Sequence, residues 1–231
     1  AEEEVTVLFN VTAMNEHELY HMIEWAKKEG ADAVSVTAPY YHRYDEMALC
    51  RYFGKVAEAA EGMPVYLYNM SGMTNNPITP MVLKTVAEQH RNICGVKDSS
   101  MDFMTLLNYQ VAMEKMDFEL ITGNDAQVLP ALMAGAAGGI IAVASVFPEL
   151  SFSIWSNFKD GNIEAAKASQ KTVLQIRELF RSVMPTIAHK EALKLKGFDM
   201  GPSRFPFRDL TEEEMRKLKR GLVNLGMIKG D

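Results

Sequence analysis

Cysteine is nearly absent: Cys50 and Cys94 are the only two in 231 residues, and they form no CxxC pair. Two are too few for a disulfide framework, so a reducing, cytoplasmic setting is expected. No apolar run reaches the ~18 residues that a membrane-spanning helix needs. The longest, residues 131–146 (ALMAGAAGGIIAVASV), is broken by glycine and reads as a helix end followed by a buried strand. Positive charge is not in excess. There are 24 Lys and Arg against 30 Asp and Glu, a net charge of −6, and the basic residues are scattered. Neither nucleic acid nor an anionic membrane is therefore an expected partner. The five histidines show no metal-ligand spacing, and His17 and His21 stand at i and i+4 without an HExxH pattern, so no metal is expected. There is no GxSxG elbow, no Walker-type phosphate loop and no GxGxxG opening a helix. The opening residues, AEEEVTVLFN, lack the basic region of a signal peptide and an initiator Met. The chain is thus expected to be a processed, truncated or partial product.

What is present is an alternation. Residues 5–11, 33–37, 64–68, 93–96, 119–122 and 139–143 are short apolar runs that read as strands. Between them lie helical patterns at residues 16–28, 45–60, 80–88, 101–114 and 126–134. In the first of these, Leu19, Ile23 and Ala26 share a face and Gly30 stands as the cap. Thr79 and Pro80 mark the start of the third. Such alternation implies βαβ units and a parallel sheet covered on both faces. After Pro148 helices dominate, at residues 162–183, 186–195 and 211–225. The division expected is residues 1–147 for the βα units and 148–231 for a last barrel helix and a helical C-terminal extension. Six strands do not close a standard (β/α)8 barrel, and a doubly wound sheet is the alternative that periodicity leaves open.

The polar residues that could carry chemistry follow the strands. Lys97 directly follows an apolar strand, so its stem should be buried; burial disfavours ammonium and lowers the pKa from ~10.4. A neutral amine can attack a carbonyl and form an imine. From position alone, a lysine that snorkels to solvent is the commoner case. Tyr68 suits a proton relay or plain core packing with a satisfied hydroxyl. Tyr40 and Tyr41 follow the second strand. Asn124 and Asp125 suit substrate hydroxyls or, equally, a helix N-cap. Gly138 and Gly139 suggest a close backbone approach. The sixteen methionines read as core filler.

Five motifs occur together and in order: APYY at residues 38–41, YLYN at 66–69, GVKDSS at 95–100, GNDA at 123–126 and GAAGGI at 135–140. In this set the chain resembles the dihydrodipicolinate synthase and N-acetylneuraminate lyase family, and KEALKLKG at residues 190–197 extends the match through the C-terminal helices. The resemblance implies a TIM barrel with a helical extension and a Schiff base between Lys97 and pyruvate or a related 2-oxo acid. It gives Tyr68 the proton relay and places Tyr41 at a subunit contact reaching a neighbouring site. Ser99, Gly123, Asp125 and Ile140 are implied as substrate-binding positions, Ile140 through its backbone. A homotetramer, a dimer of dimers, is the implied assembly, and no cofactor is implied.

The departures direct the expectation of substrate. Residues 5–11 resemble the family's third strand, so two βα units are expected to be missing, with the loop that holds the 2-oxo acid carboxylate. Ser71 stands where the family's YNxP motif has proline. Met73 stands where dihydrodipicolinate synthases carry an arginine. Ile141 replaces the serine of the GxxGxIS motif, and Ala126 follows Asp125 where sialic acid lyases tend to carry an acid. The expected activity is cleavage of a 2-keto-3-deoxy sugar acid or a sialic-acid-like substrate to pyruvate and an aldehyde. The alternatives are a dihydrodipicolinate synthase or keto-acid dehydratase on the same imine chemistry, and a non-catalytic paralogue or fragment acting as a binding or assembly module.

Overall fold

The protein is described by a computed structural model covering residues 5–230. Its strands are β1 (Leu8–Asn10), β2 (Ala33–Thr37), β3 (Val65–Asn69), β4 (Ile93–Asp98), β5 (Glu119–Thr122) and β6 (Gly138–Gly139), in the order β1-β2-β3-β4-β5-β6. The first five pair in parallel. The helices are α1 (Glu16–Lys28), α2 (Glu46–Ala59), α3 (Ser71–Thr74), α4 (Pro80–Gln89), α5 (Phe103–Met113), α6 (Val128–Met133), α7 (Pro148–Lys159), α8 (Ile163–Arg181), α9 (Pro185–Leu195) and α10 (Glu212–Asn224).

Local chemistry sets these bounds. The Asn15 side chain accepts the Glu18 amide at 2.9 Å and opens α1. Gly30, at φ +78°, ends that helix in the left-handed conformation that costs glycine least. Thr79 accepts the Val82 amide, with Pro80 at the first turn of α4. Leu19, Ile23 and Ala26 are the buried residues of α1, as their spacing predicts.

The chain divides into two compact units. The first comprises the residues up to Gly123 together with Met133–Gly138. Here α2 packs on α4, and α4 on α5. Val65, Leu67, Val96 and Leu120 are among the buried sheet residues on the side of these helices. The second unit comprises Asn124–Leu132 and the residues from Gly139 onward. In it α7 packs on α8, and Ile154, Val173, Ile176, Phe180 and Leu218 form a fully buried core.

Several elements differ from the sequence expectation. Strand β1 is shorter than residues 5–11, because its ladder partner β2 begins opposite Leu8, at Ala33. The expected strand at 139–143 shrinks to Gly138–Gly139. Asp125 Oδ1 takes the Val143 amide at 2.8 Å, and residues 143–145 turn into a short 3₁₀ segment. The helix expected at 126–134 begins with another 3₁₀ turn, Asp125–Gln127, where the Asn124 side chain accepts the Ala126 amide at 3.1 Å. Helix α3 is unanticipated. The close approach expected at the paired glycines is absent at Gly138, where an added Cβ would meet nothing within 4 Å.

The tight glycine lies elsewhere. A Cβ on Gly95 would fall 2.4 Å from the Tyr66 ring and 2.7 Å from the Glu119 carbonyl oxygen. That vacancy lets the Tyr66 ring cross β4 and donate its hydroxyl to Glu119 at 2.5 Å. Gly95→Ala is therefore expected to cost about 1–3 kcal/mol, the usual range for overpacking. The urea midpoint should fall at unchanged slope; an unchanged midpoint would contradict this packing.

Candidate active site

Strand alternation builds the candidate site. Successive side chains point to opposite faces, so Tyr66 and Tyr68 share one face of β3. Register places Gly95 beside Tyr66, Lys97 beside Tyr68, and Ile121 of β5 beside Lys97. Lys97 lies within β4 rather than after it, half-buried, with Nζ 4.1 Å from the Tyr68 ring centroid. A cation at that distance is attracted by the ring quadrupole. The Tyr68 hydroxyl stands 3.5 Å from Ser99 Oγ and 3.9 Å from Met70 Sδ. Hydroxyl pairs normally bond at ~2.5–3.0 Å, so the Ser99 contact is weak and leaves the phenol oxygen with spare capacity.

Gly123 supplies space. A Cβ there would sit 1.8 Å from Ser99 Oγ and 2.8 Å from Lys97 Cε. No other residue fits beside Lys97 in this arrangement. Its amide donates to the Asp98 carbonyl at 2.6 Å, which ties the end of β5 to the end of β4.

The opposite face holds a polar network that sequence reasoning left without a role. Asp98 is 2% exposed. One carboxylate oxygen accepts Asn69 Nδ2 at 2.7 Å, and the other accepts Ser100 Oγ at 2.8 Å. Asn69 Oδ1 accepts the Ile78 amide at 3.1 Å. Burial pushes the Asp98 carboxyl above the usual carboxylate range, opposed by the hydrogen bonds from Ser100 and Asn69. The signal was available: Asn69 and Asp98 each follow a site residue by one position, so alternation puts them on the helix side, where a polar residue needs partners.

Lys97, Tyr68, Ser99 and Gly123 thus come together in the first unit. Tyr41, also in that unit, is 80% exposed at φ +82°, with its ring edge-on to His42 at 4.9 Å. Asp125 and Ile140 belong to the second unit. Asp125 Oδ1 is occupied by the Val143 amide, and its carbonyl accepts Gln170 Nε2 at 2.8 Å. Ile140 is 42% exposed. Asn124 caps the following turn, the structural alternative weighed for it. His17 and His21 lie on a solvated face of α1. Among the described residues no helix is long and apolar enough to cross a membrane.

Comparison with known proteins matches residues 1–225 to the dihydrodipicolinate synthetase family. The chain belongs to that family. An uncharacterized DapA-like lyase of Halobacterium salinarum is 34% identical over 225 residues, covering 97% of this chain and 73% of the relative. The 4-hydroxy-tetrahydrodipicolinate synthase of Acetivibrio thermocellus is 32% identical, over 94% and 74% respectively. Among solved structures, YagE, a prophage protein of this family from E. coli K12 in complex with pyruvate, is 29% identical. It superposes with a TM-score of 0.92 over 98% of this chain and 77% of YagE. The family and its relatives are lyases, and this family member is one by membership.

The Asp98 network gives a pH dependence with a defined sign. Its folded pKa lies above the ordinary ~3.9. The folded state therefore binds the proton more tightly, and this residue's contribution to stability falls as pH rises through the interval above ~3.9. On acidification from neutral pH down to ~3.9, wild-type urea midpoints are expected to improve relative to those of Asp98→Asn. A constant difference between the two proteins would remove the burial cost assigned to this carboxylate.

Proposed function

We propose that this chain is a class I aldolase that cleaves a 2-keto-3-deoxy sugar acid to pyruvate and an aldehyde through an imine on Lys97. The observation that carries the reading is the Lys97 Nζ–Tyr68 pair, 4.1 Å from amine to ring centroid, beside the space left by Gly123. Pyruvate in the related YagE supports the class of 2-oxo acid. The six βα repeats are read as six units of a (β/α)8 barrel, on the likeness to the family's solved structures.

The steps follow from the chemistry of the groups. The free amine of Lys97 attacks the C2 carbonyl, and loss of water leaves an iminium. The C3–C4 bond then breaks, and its electron pair moves into the iminium to give an enamine. The C4 hydroxyl loses its proton through Tyr68 as the aldehyde forms. Protonation of C3 and addition of water release pyruvate and the amine. Ser99 and Gly123 are assigned to substrate binding beside Lys97, and Tyr41 to a subunit contact in a homo-oligomer, a dimer of dimers. A second reading, condensation with aspartate semialdehyde, is favoured by the likeness to the Acetivibrio synthase. Met73, 79% exposed on α3, argues against it, since it offers no cation for the second carboxylate, where a guanidinium would make a strong bidentate contact.

Borohydride with pyruvate is expected to add one adduct, at Lys97 in the peptide map. Lys97→Arg should abolish it, because a guanidinium stays protonated. An adduct on another lysine, such as Lys190, would overturn the assignment. Between the two reactions, kcat/KM should be higher for cleavage of the sugar acid. A higher value with the semialdehyde would establish the second reading instead.

A further inference from the structure

The row of the sheet below Lys97 carries a carboxylate. Gly95 and Lys97 stand two residues apart on β4 and so face the same side. Their register partners are Tyr66 and Tyr68 on β3, and Glu119 and Ile121 on β5. Strand spacing and rise put the Lys97 and Glu119 backbones about 8 Å apart, a gap that two long side chains can close. Yet among the described residues Lys97 makes no ion pair. Its Nζ lies over the Tyr68 ring, and the Glu119 carboxylate instead accepts the Tyr66 hydroxyl at 2.5 Å. The Tyr66 ring takes the space that a side chain on Gly95 would fill, and this is how a residue of β3 reaches a carboxylate of β5.

A carboxylate beside an amine favours the ammonium form, and an ammonium cannot attack a carbonyl. Among the described strand residues of this unit, the titratable groups on the Lys97 face are Tyr66 and Tyr68 from β3 and Glu119 from β5. From β1 and β2 come Asn10, Ser35 and Thr37, which do not titrate. Cys94 stands where the β3–β4 register shifts; burial first, then Glu119 and Asp117, pushes its thiol up. Asp98 lies on the opposite face, bonded to Asn69. Glu119 is thus the one carboxylate that these strands bring to the Lys97 face. We infer that Tyr66 is a positioning residue that holds the Glu119 carboxylate off the Lys97 amine, so that no anion stabilises the unreactive ammonium. The inference rests on the reading of Lys97 as the imine-forming amine.

The test compares Tyr66→Phe, Glu119→Gln and the double variant, with borohydride trapping of pyruvate followed against pH. Tyr66→Phe keeps the ring over Gly95 and frees the carboxylate. Glu119→Gln keeps an acceptor for Tyr66 and removes the charge. In Tyr66→Phe the pH of half-maximal adduct formation is expected to rise by about half a unit to one unit at low salt, as for a neighbouring charge that solvent partly screens. Raised salt should shrink the rise, and the double variant should return to the wild-type profile. A rise that survives in the double variant, or a loss of adduct with no movement along the pH axis, marks a structural role and overturns the inference. An unmoved profile in Tyr66→Phe does the same. Competitive acetylation of Lys97, read by peptide mass against pH, follows the amine without pyruvate. If the wild type forms no pyruvate adduct, the imine assignment fails, and the acetylation profiles of the same variants still decide whether Tyr66 keeps Glu119 away.

Discussion

The hydrogen bond from Asn69 to Asp98 joins the ends of two neighbouring strands through side chains on the helix side of the sheet. Each of these residues is bonded through the main chain to the one that matters on the other face: Asn69 to Tyr68, Asp98 to Lys97. The separation of phenol and amine therefore inherits the rigidity of a fully buried polar pair. A buried acceptor that loses its donor costs roughly 1–3 kcal/mol, more when charged, which discourages slippage of β3 against β4. Through Ile78 and Asn76 the same network extends to the loop after β2.

Parity divides the work. Odd positions of β3 turn Val65, Leu67 and Asn69 towards the helices; even positions turn Tyr66 and Tyr68 the other way. One strand thus supplies both the core and the candidate chemistry, with no residue asked to do both. The glycines on these strands act by leaving room. Gly95 admits a phenol ring and Gly123 admits a lysine stem, and both clash with a methyl group.

What could be read from the residues depended on range. Helix α1 was legible because Gly30 and the Leu19–Ile23–Ala26 stripe are local signals. Lys97 and Tyr68 stood out because polar residues interrupt apolar strands at their C-terminal ends, and the motif set strengthened both. Asn76 was invisible. Three of its partners are 32 to 37 residues away, and main-chain groups leave no mark on a sequence pattern. The shortening of the sixth strand was hidden for the same reason: Asp125 removes an amide eighteen residues ahead from any ladder. A single turn such as α3 is too short to have a period.

The bridge from Tyr66 to Glu119 bears on molecular traffic. It lies one row below Lys97 on the same face, towards the N-terminal ends of the strands. Burial and the hydrogen bond to Glu119 push the Tyr66 phenol far above its ordinary range, so it stays a donor at any physiological pH. The lower end of this face thus carries a phenol that stays protonated and bonded to a carboxylate, one row away from the lysine. A two-product reaction on this face would release first the fragment farther from the lysine and last the fragment attached to it.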